Sequence, residues 1–190
     1  MIIIILLSSY LIGSIPFGLL LTKLAGHGDI RAIGSGNIGA TNVLRTGNKF
    51  LAFLTLLFDF LKGMFVVLFI ARIMPPLAPF AGLAAMFGHL FPVWLKFKGG
   101  KGVATAVGIL TALSWPVGVT AMVTWVVIIA VTRYSSLAAL VTLVFAPASA
   151  YLFNRQDLMW ICLVILCFVT GKHENNIKRL LKGTEPRVGQ

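Results

Sequence analysis

"IIIILLSSYLIGSIPFGLLLTKL", Ile2 to Leu24, decides the fold. A helix needs about 20 predominantly apolar residues to cross a hydrocarbon core ~30 Å thick, and this run carries one charge, Lys23, at its far end. It extends well past a cleavable signal segment and has no small-residue cleavage site before charge, so a retained span is expected. Six further runs follow: Leu51 to Ala71, Pro76 to Leu95, Gly102 to Leu113, Pro116 to Thr132, Leu137 to Phe153 and Leu158 to Gly171. The fourth run overall is short enough to be a half-length or tilted helix. The seventh is expected to continue as helix past the lipid boundary into Lys172 and beyond.

Composition agrees. The 190 residues are 58% hydrophobic and 11% charged, whereas about a quarter of a soluble domain is charged. The fold class is an all-α integral membrane protein of about seven transmembrane helices. With no internal repeat, low-complexity tract or linker, residues 1–190 read as one polytopic domain.

Lys and Arg set the orientation, since they concentrate in cytoplasmic loops. Seven spans place thirteen of the sixteen on one side: Lys23, Arg31, Arg45, Lys49, Lys96, Lys98, Lys101, Arg133, Lys172, Lys178, Arg179, Lys182 and Arg187. Arg72 and Arg155 lie on the other side, and Lys62 falls within a span. The amino terminus is therefore expected outside and the carboxyl terminus in the cytoplasm. This basic face also accounts for the net charge of +11 without nucleic acid, because it suits anionic headgroups or an anionic substrate. The two cysteines, Cys162 and Cys167, share one apolar run without metal-ligand spacing to His, and imply neither a disulfide nor a metal.

The loops on the charged side depart from ordinary turns. The first, "HGDIRAIGSGNIGATNVLRTGNK" (His27 to Lys49), contains Gly34, Gly36 and Gly39 at dinucleotide-fingerprint spacing. A membrane helix rather than a strand precedes them, which rejects that reading. Glycines nevertheless let backbone N–H groups converge on a small anion. Ser35, Asn37, Thr41 and Asn42 add neutral donors and acceptors, and Arg45 adds a guanidinium fork suited to phosphate. An anion or polyol site is favoured over a tight polar turn.

The second loop, "LKFKGGKGVATAVG" (Leu95 to Gly108), sets Lys96, Lys98 and Lys101 around Gly99, Gly100 and Gly102. It lacks the P-loop pattern and strand. It does offer flexible glycines, a point charge at Lys101, and a helix start near Val103 whose N–H groups face the same side. A positive-inside anchor is the plainer alternative.

The third stretch, "GKHENNIKRLLKGTE" (Gly171 to Glu185), read as helix, has an apolar face of Ile177, Leu180 and Leu181. His173 lies on that face and Asn176 at its edge, which leaves His173 open as structural or functional. Within the spans, Asp59 and Lys62 are three residues apart with Thr55 on the same side; ionisable residues inside a membrane suggest function, but opposite charges at this spacing can simply satisfy each other, and a structural pair is favoured. His89, in "GHLFP", is placed to approach the second loop, and its role is open.

Taken together, "DIRAIGSGNIGATNVLRT" (Asp29 to Thr46), "GHLFPVWLKFKGGKGVATAVG" (Gly88 to Gly108) and "HENNIKRLLKGTE" (His173 to Glu185) closely resemble the three cytoplasmic motifs of the PlsY family. The match is in order and spans nearly the whole chain. That family comprises bacterial inner-membrane acyl-phosphate:glycerol-3-phosphate acyltransferases. The resemblance implies transfer of a fatty acyl group from acyl phosphate to the 1-hydroxyl of sn-glycerol 3-phosphate. Lysophosphatidic acid and phosphate result, in the first acylation of phospholipid synthesis.

It further implies an active site facing the cytoplasm, no cofactor or metal, membrane lipid as a partner, an acyl-phosphate-forming enzyme as pathway neighbour, and a monomer. The implied roles place Ser35, Arg45, Lys101 and His173 in the catalytic set. Gly34, Gly36, Asn37, Gly39, Thr41, Asn42, Gly99, Gly100, Gly102 and Asn176 bind substrate or phosphate. Which loop holds which phosphate stays open.

The group that activates the hydroxyl is also open. Another glycerolipid acyltransferase family uses H-x-x-x-x-D, but none of His27, His89 or His173 has Asp at that spacing. His173 has a suitable intrinsic pKa. A substrate phosphate, with second pKa of about 6, is the alternative, and an acyl-enzyme through Ser35 is a third route. The rival class is a transporter for a small anionic metabolite. Transporters, however, are often built from internal repeats with a midplane site, and here the polar groups gather on one face.

Overall fold

Helix breaks, as much as helix lengths, set the course of the chain. The structure, a computed structural model, describes Met1–Gly189, which contain helices, turns and loops but no strand. The first apolar run is a bent pair rather than one continuous helix. α1 (Ile2–Gly13) and α2 (Phe17–Leu24) meet at 42°, because Pro16 has no N–H to donate and drives Ile15 away from helical geometry.

After α2, residues 25–39 form irregular loop with one short 3-10 turn, and α3 (Ala40–Val43) is a single turn. α4 (Lys49–Ile73) then runs for 25 residues without interruption. Its first turn is capped by Asn48, whose side chain accepts from Leu51 N at 3.0 Å, supplying one of the partners that a helix start lacks. α5 (Ala78–Leu90) is the central part of a helical stretch, Pro75–Leu95, of 21 residues.

α6 (Val103–Leu113) has only 11 residues, about half the length that a crossing requires. α7 (Trp115–Thr132) and α8 (Ser135–Leu152) have 18 residues each. α9 (Met159–Lys172) and α10 (Glu174–Leu181) are separated by His173 and bent by 68°. The seventh run thus does not continue as straight helix beyond Lys172.

All seven apolar runs are helical. By length and apolarity four helices qualify as crossings, or six when each bent pair counts as one, and α6 is the shorter apolar helix among the described residues. The chain divides into two compact units, one ending at Ile109 and the other beginning at Leu110.

In the first unit α1 lies along α5 at a distance only glycine permits. A Cβ on Gly88 would meet the backbone of Tyr10 and Ser14. Apolar burial cannot by itself drive such contacts in lipid, so close backbone approach through small residues supplies the packing. α4 packs on α5, and the Thr105 hydroxyl on α6 donates to Asp59 O on α4 at 2.9 Å. In the second unit α7 and α8 form an antiparallel hairpin beside α9, around fully buried Leu143, Ile161 and Ile165.

Gly88→Leu is therefore expected to destabilise the protein by about 1–3 kcal/mol or more through overpacking. Gly171→Ala, in open space on α9, should instead gain up to about 1 kcal/mol from helix propensity. Melting of the two variants in one detergent checks both, and equal midpoints would refute the glycine contact.

Candidate functional site

The first loop is built around one amide. Asn42 is buried to 2% exposure, and its Nδ2 donates to Ile30 O and Ile33 O at 3.0 Å and to Asn37 O at 2.8 Å. Its Oδ1 accepts from Ser35 N at 3.0 Å and faces Arg45 NH1 at 3.4 Å. With both ends of the amide occupied inside the loop, Asn42 holds the loop's shape rather than facing outward. Asn37 has a similar local duty, since its Oδ1 accepts from Gly39 N at 3.0 Å.

Gly34, Ser35, Gly36, Thr41 and Arg45 remain at the exposed surface of the loop. Gly34 has φ +55°, and a Cβ there would strike the Arg45 and Asn42 side chains. The Arg45 guanidinium thus lies over the Gly34–Ser35 backbone, next to the N–H fixed by Asn42. Before this loop, Asp29 accepts from Arg31 N at 3.0 Å and Nε at 2.9 Å. Those hydrogen bonds hold its carboxyl well below the usual range.

Beneath the loop, Ile30, Ile38 and Val43 pack with Leu19, Leu51 and Ala52, and Leu95 from the second loop packs on the same cluster. One apolar base therefore carries both glycine-rich loops.

The second loop is fastened from several sides. Tyr10 OH donates to Phe91 O at 2.7 Å, and Trp94 Nε1 donates to Ser14 Oγ at 2.8 Å. Lys96 and Phe97 have φ of 50° and 62°, a left-handed turn that non-glycine residues enter at a cost. Gly99 N donates to Leu90 O at 3.2 Å and Gly100 N to His89 O at 3.0 Å. A Cβ on Gly100 would collide with the His89 imidazole. Lys101 is half-buried at the end of this loop, and Ala106 N donates to Gly102 O at 2.8 Å as α6 begins. Lys96 and Lys98 are exposed.

Behind the loop is a buried polar group. Asp59 and Lys62 are each 4% exposed, with Nζ 2.7 Å from Asp59 Oδ1. The contact is an ion pair poorly aligned for a hydrogen bond, which leaves Oδ1 without one. Lys62 Nζ also donates to Ile15 O at 3.0 Å and lies 2.8 Å from His89 Nδ1. The expected pair is thus present, and His89 joins it as a third member. Thr55 turns inward to its own helix, donating to Leu51 O at 2.8 Å.

In the second unit, His173 is buried with Nδ1 2.8 Å from Val169 O. A carbonyl can only accept, which assigns the proton to Nδ1 and makes Nε2 the basic nitrogen of the neutral ring. Asn176 is buried, while Leu181 is 84% exposed and Ile177 and Leu180 are half-buried. The inward face of α10 is therefore centred on His173 and Asn176, and the expected apolar stripe ending at Leu181 is corrected.

Glu185 is bonded to this inward face. Its Oε1 accepts from Asn176 Nδ2 and Ser136 Oγ, both at 2.6 Å, and its Oε2 accepts from Arg179 Nε at 2.7 Å. The sequence reading assigned no role to Glu185. Its only sequence signal is a carboxylate following the basic stretch Lys178–Lys182.

Burial alone would raise the Glu185 pKa, but hydrogen bonds from Ser136, Asn176 and Arg179 outweigh it and hold the carboxyl below its ordinary 4.5. A depressed folded-state pKa stabilises fully above the unfolded value, and that contribution is lost as pH falls through the folded one. Melting temperature should accordingly drop on acidification below the ordinary carboxylate range. Glu185→Gln should melt lower at neutral pH and show a shallower acid limb; an unchanged limb would remove Glu185 as its cause.

The family profile described as glycerol-3-phosphate acyltransferase matches residues 3–183. A glycerol-3-phosphate acyltransferase of Brucella anthropi is 53% identical, covering 97% of this chain and 92% of its own. One from Mesorhizobium japonicum is 54% identical, covering 97% and 94%. The crystal structure of PlsY (YgiH), an integral membrane glycerol 3-phosphate acyltransferase, in its glycerol 3-phosphate form, superposes with TM-score 0.93 at 38% identity, covering 99% of this chain and 96% of that one. Its lysophosphatidic acid form gives 0.90 at 36%, covering 98% and 94%. With these likenesses along nearly its full length, the chain is an integral membrane protein that belongs to the glycerol-3-phosphate acyltransferase (PlsY) family.

Proposed function

We propose that this chain transfers a fatty acyl group from acyl phosphate to the 1-hydroxyl of sn-glycerol 3-phosphate, forming lysophosphatidic acid and inorganic phosphate. The setting is the cytoplasmic face of a bacterial inner membrane, and the chain acts as a single acyltransferase domain. The observation that supports this reading is that, within residues 1–109, one buried residue, Lys62, both lines an apolar groove and contacts His89, on which the second glycine-rich loop rests. The groove, about 620 Å³, is lined by Ile12, Phe17, Phe58, Phe65 and Phe69, with Lys62 on its wall. Lys62 touches His89, and His89 touches Gly100. An acyl tail in the groove would lie against Lys62, two contacts from the Gly99–Gly102 loop that would take a phosphate headgroup. The glycerol 3-phosphate and lysophosphatidic acid forms of the related PlsY are this reaction's acceptor and product.

The chemistry needs no cofactor, because the mixed anhydride of an acyl phosphate is already activated. The acceptor oxygen attacks the acyl carbon, its bond to phosphate oxygen breaks, phosphate leaves with the electron pair, and the hydroxyl proton passes to an acceptor. Arg45 supplies a fork for phosphate beside the Gly34–Ser35 backbone. Lys101, at the end of its loop, stabilises the developing oxyanion and departing phosphate. Ser35 and Thr41 offer hydroxyls to the polyol. His173, with its proton held on Nδ1, has in Nε2 an atom able to take a proton, and Asn176 is the donor held beside it on α10.

Purified wild type given both substrates should release phosphate, and neither substrate alone should suffice. Lys101→Ala and Arg45→Ala should each lower that rate by about 10²-fold or more. No release from well-folded wild type would overturn the assignment. For the proton, His173→Gln should lower kcat by about 10² to 10⁴. If kcat instead persists at saturating substrate, a substrate phosphate takes the proton.

A further inference from the structure

We infer that Asp59, Lys62 and His89 form a positioning network for the acyl transfer, setting the Gly99–Gly102 backbone by fixing which imidazole nitrogen of His89 carries the proton. The inference rests on reading that loop as a phosphate holder. None of the three residues is needed in the chemistry above, yet they bury a carboxylate, an ammonium and an imidazole in one cluster. Removing such groups from water is costly and does not by itself stabilise a fold relative to apolar residues of similar size.

The geometry restricts what the cluster can do. Lys62 Nζ has three N–H groups and no lone pair as an ammonium. Within 3.0 Å it has Ile15 O and His89 Nδ1 as hydrogen-bond partners and Asp59 Oδ1 as its ion-pair partner, and His89 Nδ1 stands farther from that carboxylate oxygen, at 3.5 Å. Asp59 Oδ1, 2.7 Å away, favours the charged amine and aims it. An ammonium donating to Nδ1 requires that nitrogen to be unprotonated, which puts the His89 proton on Nε2. Nε2 is the atom pressed against Gly100, where a Cβ would overlap it.

The same residue also grips the loop through its backbone, since Gly100 N donates to His89 O at 3.0 Å. The loop thus rests on an imidazole edge of defined polarity, an N–H rather than a lone pair. Reversing the tautomer would present a lone pair at the place where the loop gathers positive charge for phosphate. His173 carries the opposite assignment, with its proton on Nδ1, so the protein contains its own reference.

The test uses full-length protein labelled with 15N at histidine, with His89 signals assigned by their loss in His89→Gln. Wild type should show His89 protonated at Nε2 and His173 at Nδ1. A wild-type His89 protonated at Nδ1, or at both nitrogens, overturns the inference without any variant. Lys62→Met alone leaves Asp59 buried and unpaired and is prone to misfolding, so the decisive protein is Asp59→Asn/Lys62→Met, which removes both charges. It should fold, lose the single Nε2–H signature, and raise KM for at least one phosphate-bearing substrate by about tenfold, with kcat within about threefold, the pattern of lost uniform binding. Wild-type KM and tautomer in the folded double variant would make the pair merely structural and end the proposal. Phosphate release by wild type, measured in parallel, separates this failure from failure of the proposed reaction.

Discussion

The five hydrogen-bonding contacts of the Asn42 amide are the constraint on which the first loop depends. A loop rich in glycine has much conformational entropy to lose, and an irregular backbone next to lipid cannot rely on water for every polar group. Asn42 meets both demands together. It collects carbonyls from residues 30, 33 and 37 and returns an acceptor to the Ser35 N–H. The apolar cluster of Ile30, Ile38 and Val43 is then held against α2 and α4, and Arg45 is left above the glycines.

The second loop is shaped by another means. It leans on the end of α5 through Leu90 O, His89 O and the His89 ring. Trp94 pins its entry to Ser14 at the break between α1 and α2, and Tyr10, within α1, holds Phe91 O. The bend at Pro16, a feature of the first apolar run, therefore bears on a loop eighty residues later. Leu95 completes the link by packing into the base of the first loop. The two loops consequently share an elastic foundation, and a change in the packing of α1 on α5 reaches both.

How much of this was legible in the sequence follows from the range of each interaction. All seven apolar runs are helices, because hydropathy and backbone satisfaction in lipid act within one segment. Pro16 is visible in the sequence, but the apolar residues on both sides of it give the first run the length and look of a single span. The Asp59–Lys62 pair was readable from helical spacing. His89, 27 residues further on, could be placed near a loop but not against Lys62 Nζ. Asn42 was legible as a polar loop residue, whereas its inward orientation depends on three carbonyls whose placement only the folded loop defines. Glu185 was missed for the same reason. Its partners Ser136, Asn176 and Arg179 lie on α8 and α10, and the turn after α10 brings it back onto the inward face at Asn176.

A site for the proposed pair of one water-soluble and one lipid substrate cannot lie at the bilayer centre or far out in water. Irregular loops supply phosphate contacts but are soft, while apolar helices are firm but cannot hold phosphate. This chain joins the two at residues of mixed character. Lys62 lines an apolar groove, with its Nζ 5.6 Å from the Phe17 ring centroid, and the same nitrogen meets Asp59 and His89. Its stem is part of the greasy wall, and its head anchors the support of a glycine loop. A neutral side chain could line the groove equally well, and a surface lysine could attract phosphate equally well. A buried ammonium lines the groove with its stem and holds His89 beneath the glycine loop with its head, which gives a physical reason for the cost of burying it.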